Sequence, residues 1–165
     1  MKTNFLENNH VVHVVPSTVL TTNADLTDGL SAGLIINCDV MSLKNADGAV
    51  FICTVSANAG GALSFRILAA STAAAAATTP VSFRYKTITA PDTVAATGET
   101  KELLTSTGAN YVYVMEVDAA KVAEQGYEFI QLVGTEVTDA AAQGSIVGFL
   151  TGLRYKEDDI GTQVT

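Results

Sequence analysis

Few side chains in this chain have the type and spacing to do chemistry. The two histidines, His10 and His13, lie three apart in HVVHVV. In an extended segment that spacing sends them to opposite faces, so they do not readily share a metal ion. The two cysteines, Cys38 and Cys53, each fall in a predicted strand and read as small buried hydrophobes. A disulfide between neighbouring strands is the alternative. Asp25 and Asp28 lie near Asn23, and Asn45 lies near Asp47. Either loop could hold calcium weakly, but neither has the spacing to supply the roughly six to eight oxygens of a dedicated site. Asx turns account for the same residues more simply. No serine sits in a nucleophile elbow, and no GxxxxGK[ST] or strand-linked GxGxxG occurs. The expectation is a protein that binds and does not catalyse, with no catalytic residue, cofactor or metal.

The remaining candidates are contact residues. Arg66 and Arg84 sit in the matching phrases SFRI and SFRY, and Lys86 follows two residues on. All three point outward from predicted strands and could form one basic patch on an acidic chain, although solvated surface charge is the simpler reading. Val11, Val12, Val14 and Val15 form an early apolar strand behind a polar arm, a common place for subunit contact.

The whole chain bounds these readings. Its 165 residues suit one domain with a real core. Seventeen acidic residues against nine basic give a net charge of −8, a poor match to a phosphate backbone. No nucleic-acid partner is therefore expected. The N-terminus, MKTNFLENNH, lacks the apolar run of a signal peptide, and no stretch has the ~20 apolar residues of a membrane helix. A soluble protein without a membrane partner, made and used from the cytosol, is expected. Residues 1–9 read as a flexible arm, 10–156 as one domain and 157–165 as an acidic tail.

The elements that must position the contact residues are strands. The clearest stretch is NYVYVMEVDAAKVAEQGYEFIQLVGT, residues 110–135. Tyr111, Tyr113, Met115 and Val117 alternate with Val112, Val114 and Glu116. Tyr127 to Val133 alternates again. Between them Asp118 can cap a short helix and Gly126 can end it. HVVHVV predicts an edge or early strand, ended or bent by Pro16. AGLIINCDV predicts a buried strand. KNADG predicts a turn with Asp47-Gly48 at its left-handed position. In Ala49 to Ser56, Phe51, Cys53 and Val55 oppose Val50, Ile52 and Thr54, which suggests that both faces are covered. NAGG, residues 58–61, predicts a hairpin between antiparallel partners. ALSFRIL and VSFRYKTI predict half-buried strands. ASTAAAAATTP reads as a surface excursion, or as a short helix. VAATGETKELL has weak periodicity, with ETKELL a short strand or one helical turn. GSIVGFLTGLRY predicts a last strand pair or one bent strand, with Gly148 at a bulge or close approach. The total is eight or nine strands, mostly antiparallel, with no long helix. That points to an all-β protein, a β-sandwich with a jelly-roll connection plausible at this length.

The phrases YVYVMEVDA, GYEFIQLVGT and GSIVGFLTGLRY, with SFRYKT before a Pro-containing turn, resemble small proteins of tailed bacteriophages encoded near the major capsid protein. The resemblance implies a virion structural role as a capsid decoration or cement protein. Its partner would be the major capsid protein, and sister subunits would make a homo-oligomer. It would sit on the capsid surface after assembly in the host cytoplasm. A head–tail joining or tail component, and a carbohydrate- or receptor-binding β-sandwich, are the alternatives. No residue role carries across, because the resemblance lies in strands and turns.

Overall fold

Strands built on the alternation just described form two antiparallel sheets in a computed structural model, which describes residues 9–12, 35–55, 62–74, 77–90, 93–105, 110–137 and 144–153. Sheet A takes β1 (Asn9–Val12), β12 (Gly144–Thr151), β4 (Gly48–Val55), β10 (Tyr111–Asp118), β7 (Phe83–Ala90) and β8 (Thr93–Thr100), in that spatial order. Sheet B runs β2 (Ile35–Asn37), β11 (Phe129–Glu136), β5 (Leu63–Ala70) and β6 (Thr79–Val81). The two-residue β3 (Met41–Ser42) also pairs with β11, and β9 (Leu103–Leu104) with β5.

The inward sets of the two sheets share one core. Phe51, Cys53, Tyr113 and Met115 come from sheet A; Phe65, Ile67, Ile130 and Leu132 come from sheet B. The Phe65 and Tyr113 rings meet between the sheets at 6.4 Å, tilted by 51°. Tyr111 and Tyr113, two apart on β10, meet edge to face at 6.1 Å. A five-residue helix, α1 (Ala119–Ala123), carries the chain from β10 in sheet A towards β11 in sheet B. Asp118 caps it, accepting a 2.8 Å bond from the Ala120 amide, and Gly126 follows at φ +82. Val122 drops from α1 into the core.

The chain between β6 and β9 has an unusual course. β6 lies along β5 at Ile67–Ala69, and β9 lies along the same strand at Ser64 and Phe65. They are two halves of one lane, with Arg66 at the gap. Between them the chain leaves for sheet A after one residue, Ser82. It builds the β7–β8 hairpin there and returns through Lys101 and Glu102. A strand that switches sheets in this way makes a corner.

Several expectations need correction. The strands flanking NAGG do not pair: β4 belongs to sheet A and β5 to sheet B. Residues 56–61 lie outside the described residues. The left-handed residue of KNADG is Asn45, at φ +86, and Gly48 already starts β4. VSFRYKTI is split between two sheets at Ser82; VAATGET, of weak periodicity, lies wholly in β8, and ETKELL is divided between the end of β8 and the two-residue β9. Within the described part of AGLIINCDV, residues 35–40, only Ile35–Asn37 is strand, and Ile35 is 53% exposed. β12 is one strand whose register runs unbroken through Gly148, so no bulge occurs there. The described strands number twelve, several of them very short. Of the alanine-rich segment, Ala70 closes β5, residues 71–74 form bends and a turn, and Thr79 and Pro80 already belong to β6.

Candidate interaction surface

The outward set of sheet A is the most distinctive surface. Cross-strand register aligns it in rows. One row runs Val11, Phe149, Val50, Glu116, Arg84, Glu99 across all six strands. The next runs Val147, Ile52, Val114, Lys86, Thr97, and a third runs Ser145, Thr54, Val112, Ile88. Over β12, β4 and β10 the face is mainly apolar, broken by Glu116 and by the Ser145–Thr54 pair, and its charges gather at Glu116, Arg84, Lys86 and Glu99. Val50, Ile52, Val112, Val114, Val147 and Phe149 are all only half-buried, and Val11 is 46% exposed. The expectation that both faces of β4 are covered holds on the inner side alone. Flat strand neighbours shield one another, and each side chain still presents apolar area outward.

A groove of about 600 Å³ opens where the two characters meet. Val50 and Val114 floor it, with Arg84, Lys86, Glu99 and Glu116 around them. Its charges are organised. Arg84 pairs with Glu116 at 3.1 Å, and Lys121 of α1 reaches Glu99 at 2.5 Å. The Ser82 hydroxyl donates to Glu99 at 2.9 Å. The Lys121 and Ser82 hydrogen bonds hold the Glu99 carboxyl below its ordinary range, with the Lys121 charge adding to them. On the other side of the corner the Ser64 hydroxyl and Arg66 both donate to Glu102, the latter at 2.9 Å. Those two bonds lower the Glu102 carboxyl in the same sense, Ser64 contributing most. Glu99 and Glu102 thus hold the two crossings of the chain between sheets. The charged partners are largely exposed, so each ion pair adds little stability on its own.

The expected contact residues divide. Arg84 and Lys86 are neighbours on the outer face of sheet A, whereas Arg66 is on sheet B. The three do not make one basic patch, and Arg66 and Arg84 are each neutralised by a glutamate. Val11 and Val12 lie on β1, an edge of sheet A, and Val11 continues the apolar row. Val14, Val15 and His13 lie outside the described residues, as do the 23–28 loop, residues 1–8 and the 157–165 tail.

The outward valines and isoleucine of β4, β10 and β12 are not among the contact residues expected from the sequence. The signal was present, since Val50, Ile52, Val112, Val114 and Val147 are apolar at positions where a half-exposed strand carries polar residues. A carbohydrate-binding module needs an exposed aromatic platform, yet Tyr113 is 1% exposed, and Tyr111 and Tyr127 pack against the core. Tyr127 also shares a 3.0 Å hydroxyl bond with Thr79. This weighs against the carbohydrate platform. Cys38 and Cys53 are buried free thiols, each pushed up chiefly by burial. Among the described residues no three of His, Cys, Asp and Glu are grouped to hold a metal ion. No described helix is long and apolar enough to cross a membrane. No family model, curated protein or solved structure matches the chain.

Proposed function

We propose that the chain is a virion structural protein, a decoration or cement subunit that binds the head shell of a tailed bacteriophage and stabilises it. The observation that carries this reading is the apolar outer face of sheet A, a surface suited to a protein partner. The resemblance of its strand phrases to phage head proteins supplies the class of that partner, the major capsid protein. Apolar area contributes roughly 25 cal/mol per Å² removed from water, before the costs of association. Many symmetry-related copies turn a modest contact into firm attachment through effective concentration. Val11 on β1 extends the face to the edge of sheet A, while Arg84 and Lys86 border it with charge that can select a register.

The finer fold reading is a jelly-roll sandwich, and strand order supports it. In the frame β1, β2, β4, β5, β6, β10, β11, β12, the first strand pairs with the last, the second with the seventh, the third with the sixth and the fourth with the fifth. Those are the rungs of one long folded hairpin. The β12–β4 and β11–β5 ladders are the contacts made when that hairpin rolls up. On this reading β7 and β8 are an insertion that widens sheet A.

Copy number in purified virions tests the role. Quantitative mass spectrometry should find the chain in proportion to the major capsid protein. A number fitting one ring would instead indicate a head–tail or tail component, and absence from virions would overturn the structural role.

A further inference from the structure

We infer that β8 is a strand-addition edge, and that its occupant is the β8 of a second copy, joining two sheets A into one continuous sheet across a two-fold axis. β8 ends sheet A, and no described strand pairs with its far side. It is eight residues long, and its side chains from Thr93 to Glu99 are exposed on both faces, Val94 at 50%. Edge strands of that length are normally blunted by lysine, proline, shortness or cover. Thr93–Thr100 contains no lysine, arginine or proline. It is built from Thr, Val, Ala and Gly, which let a second backbone approach closely. Most of β8 also adds nothing to the core, so packing does not explain an eight-residue strand there.

β8 is a stretch where charge does not oppose a second copy, and its own sequence is self-complementary. Two molecules of net charge −8 repel over most of their surfaces. β8 carries a single ionisable side chain, Glu99, already held by Lys121 and Ser82 of its own chain. Antiparallel pairing about an axis at Thr97 sets each Glu99 opposite Ala95 of the other copy. Thr97 then faces Thr97, a favourable cross-strand pair. No like charges oppose each other. This is an isologous contact, closed by its own symmetry. It would carry the apolar rows of both copies on one surface, and it does not rest on the capsid reading.

The test is sedimentation velocity on the full chain, with Ala96→Lys and Thr97→Lys compared with wild type. These neighbours project to opposite faces of the same edge, so both put a lysine at the join, while only Thr97→Lys alters the outer face. The wild type should dimerise, and each variant should weaken the dimer by about tenfold or more with an unchanged circular dichroism spectrum. A wild-type monomer would overturn the inference, as would a dimer that survives both substitutions or one weakened by Thr97→Lys alone.

Discussion

Gly48 begins β4 with its α-carbon against the backbone of β10. A Cβ there would lie 2.4 Å from the Val117 carbonyl oxygen, and one at Gly144 would lie 2.2 Å from that of Thr54. Neither obstacle is a movable side chain. Gly48→Ala and Gly144→Ala should each cost about 1–3 kcal/mol in urea unfolding; unchanged midpoints would show that the strands can part without penalty. The two thiols give a second check at this scale. Burial pushes both up and shields them, so a thiol reagent should find neither Cys38 nor Cys53 in native protein and both in denaturant. Rapid native labelling would contradict the packed core. A third check is acid stability. Glu99 and Glu102 are held below their ordinary value of 4.5, so the unfolded chain binds protons more readily than the folded one there. Their contribution is present above about pH 4.5 and is lost as pH falls below it through the lowered folded values. The double variant Glu99→Gln, Glu102→Gln should flatten the unfolding curve below pH 4.5 relative to wild type; identical slopes would remove these carboxylates from the account.

At the scale of elements, stability should follow the number of neighbours each strand has. β4 is laddered along all eight residues to both β10 and β12, while among the described strands β8 has β7 alone. Hydrogen exchange on the Ala96→Lys variant, where β8 is unpaired outside its own hairpin, should show β8 amides protected at least about tenfold less than those of β4. Equal protection would mean that the hairpin is held by something beyond the described strands. The elements also show what the sequence discloses. Inner-face alternation was legible wherever large apolar residues repeat, as at Phe51, Cys53 and Val55 or at Tyr113, Met115 and Val117. The Asp118 cap and the Gly126 stop were legible because capping is local. Sheet membership was not, because it depends on which strands stack across the core. NAGG has the composition of a hairpin, yet β4 and β5 belong to different sheets. Nothing in the single residue Ser82 signals that the chain changes sheet there. β8 escaped notice because Thr, Ala and Gly give no hydrophobic period, and a strand exposed on both faces needs none. The outer face of β4 was seen as apolar but read as covered, since a sequence does not distinguish burial within the chain from burial against another.

On the scale of the whole molecule, the two faces of sheet A divide the work. The inner face builds the core with sheet B, and Phe65→Ala, which removes the ring meeting Tyr113, should cost about 3–5 kcal/mol in urea unfolding; a loss under a third of that would mean the sheets do not depend on this contact. The outer face should matter little for folding and much for attachment. Ile52 and Val114 are cross-strand partners at its centre, both half-buried, so charge there is tolerable in the free chain. The measurement that tests the proposed role most directly is co-sedimentation with undecorated tailed-phage heads, the partner that role requires, comparing wild type with the double variant Ile52→Glu, Val114→Glu. The wild type should saturate the shells, and the double variant should keep its fold and its melting transition within a few degrees while losing most occupancy. Full occupancy by the double variant, or no binding by the wild type, would contradict the assignment of this face to the shell.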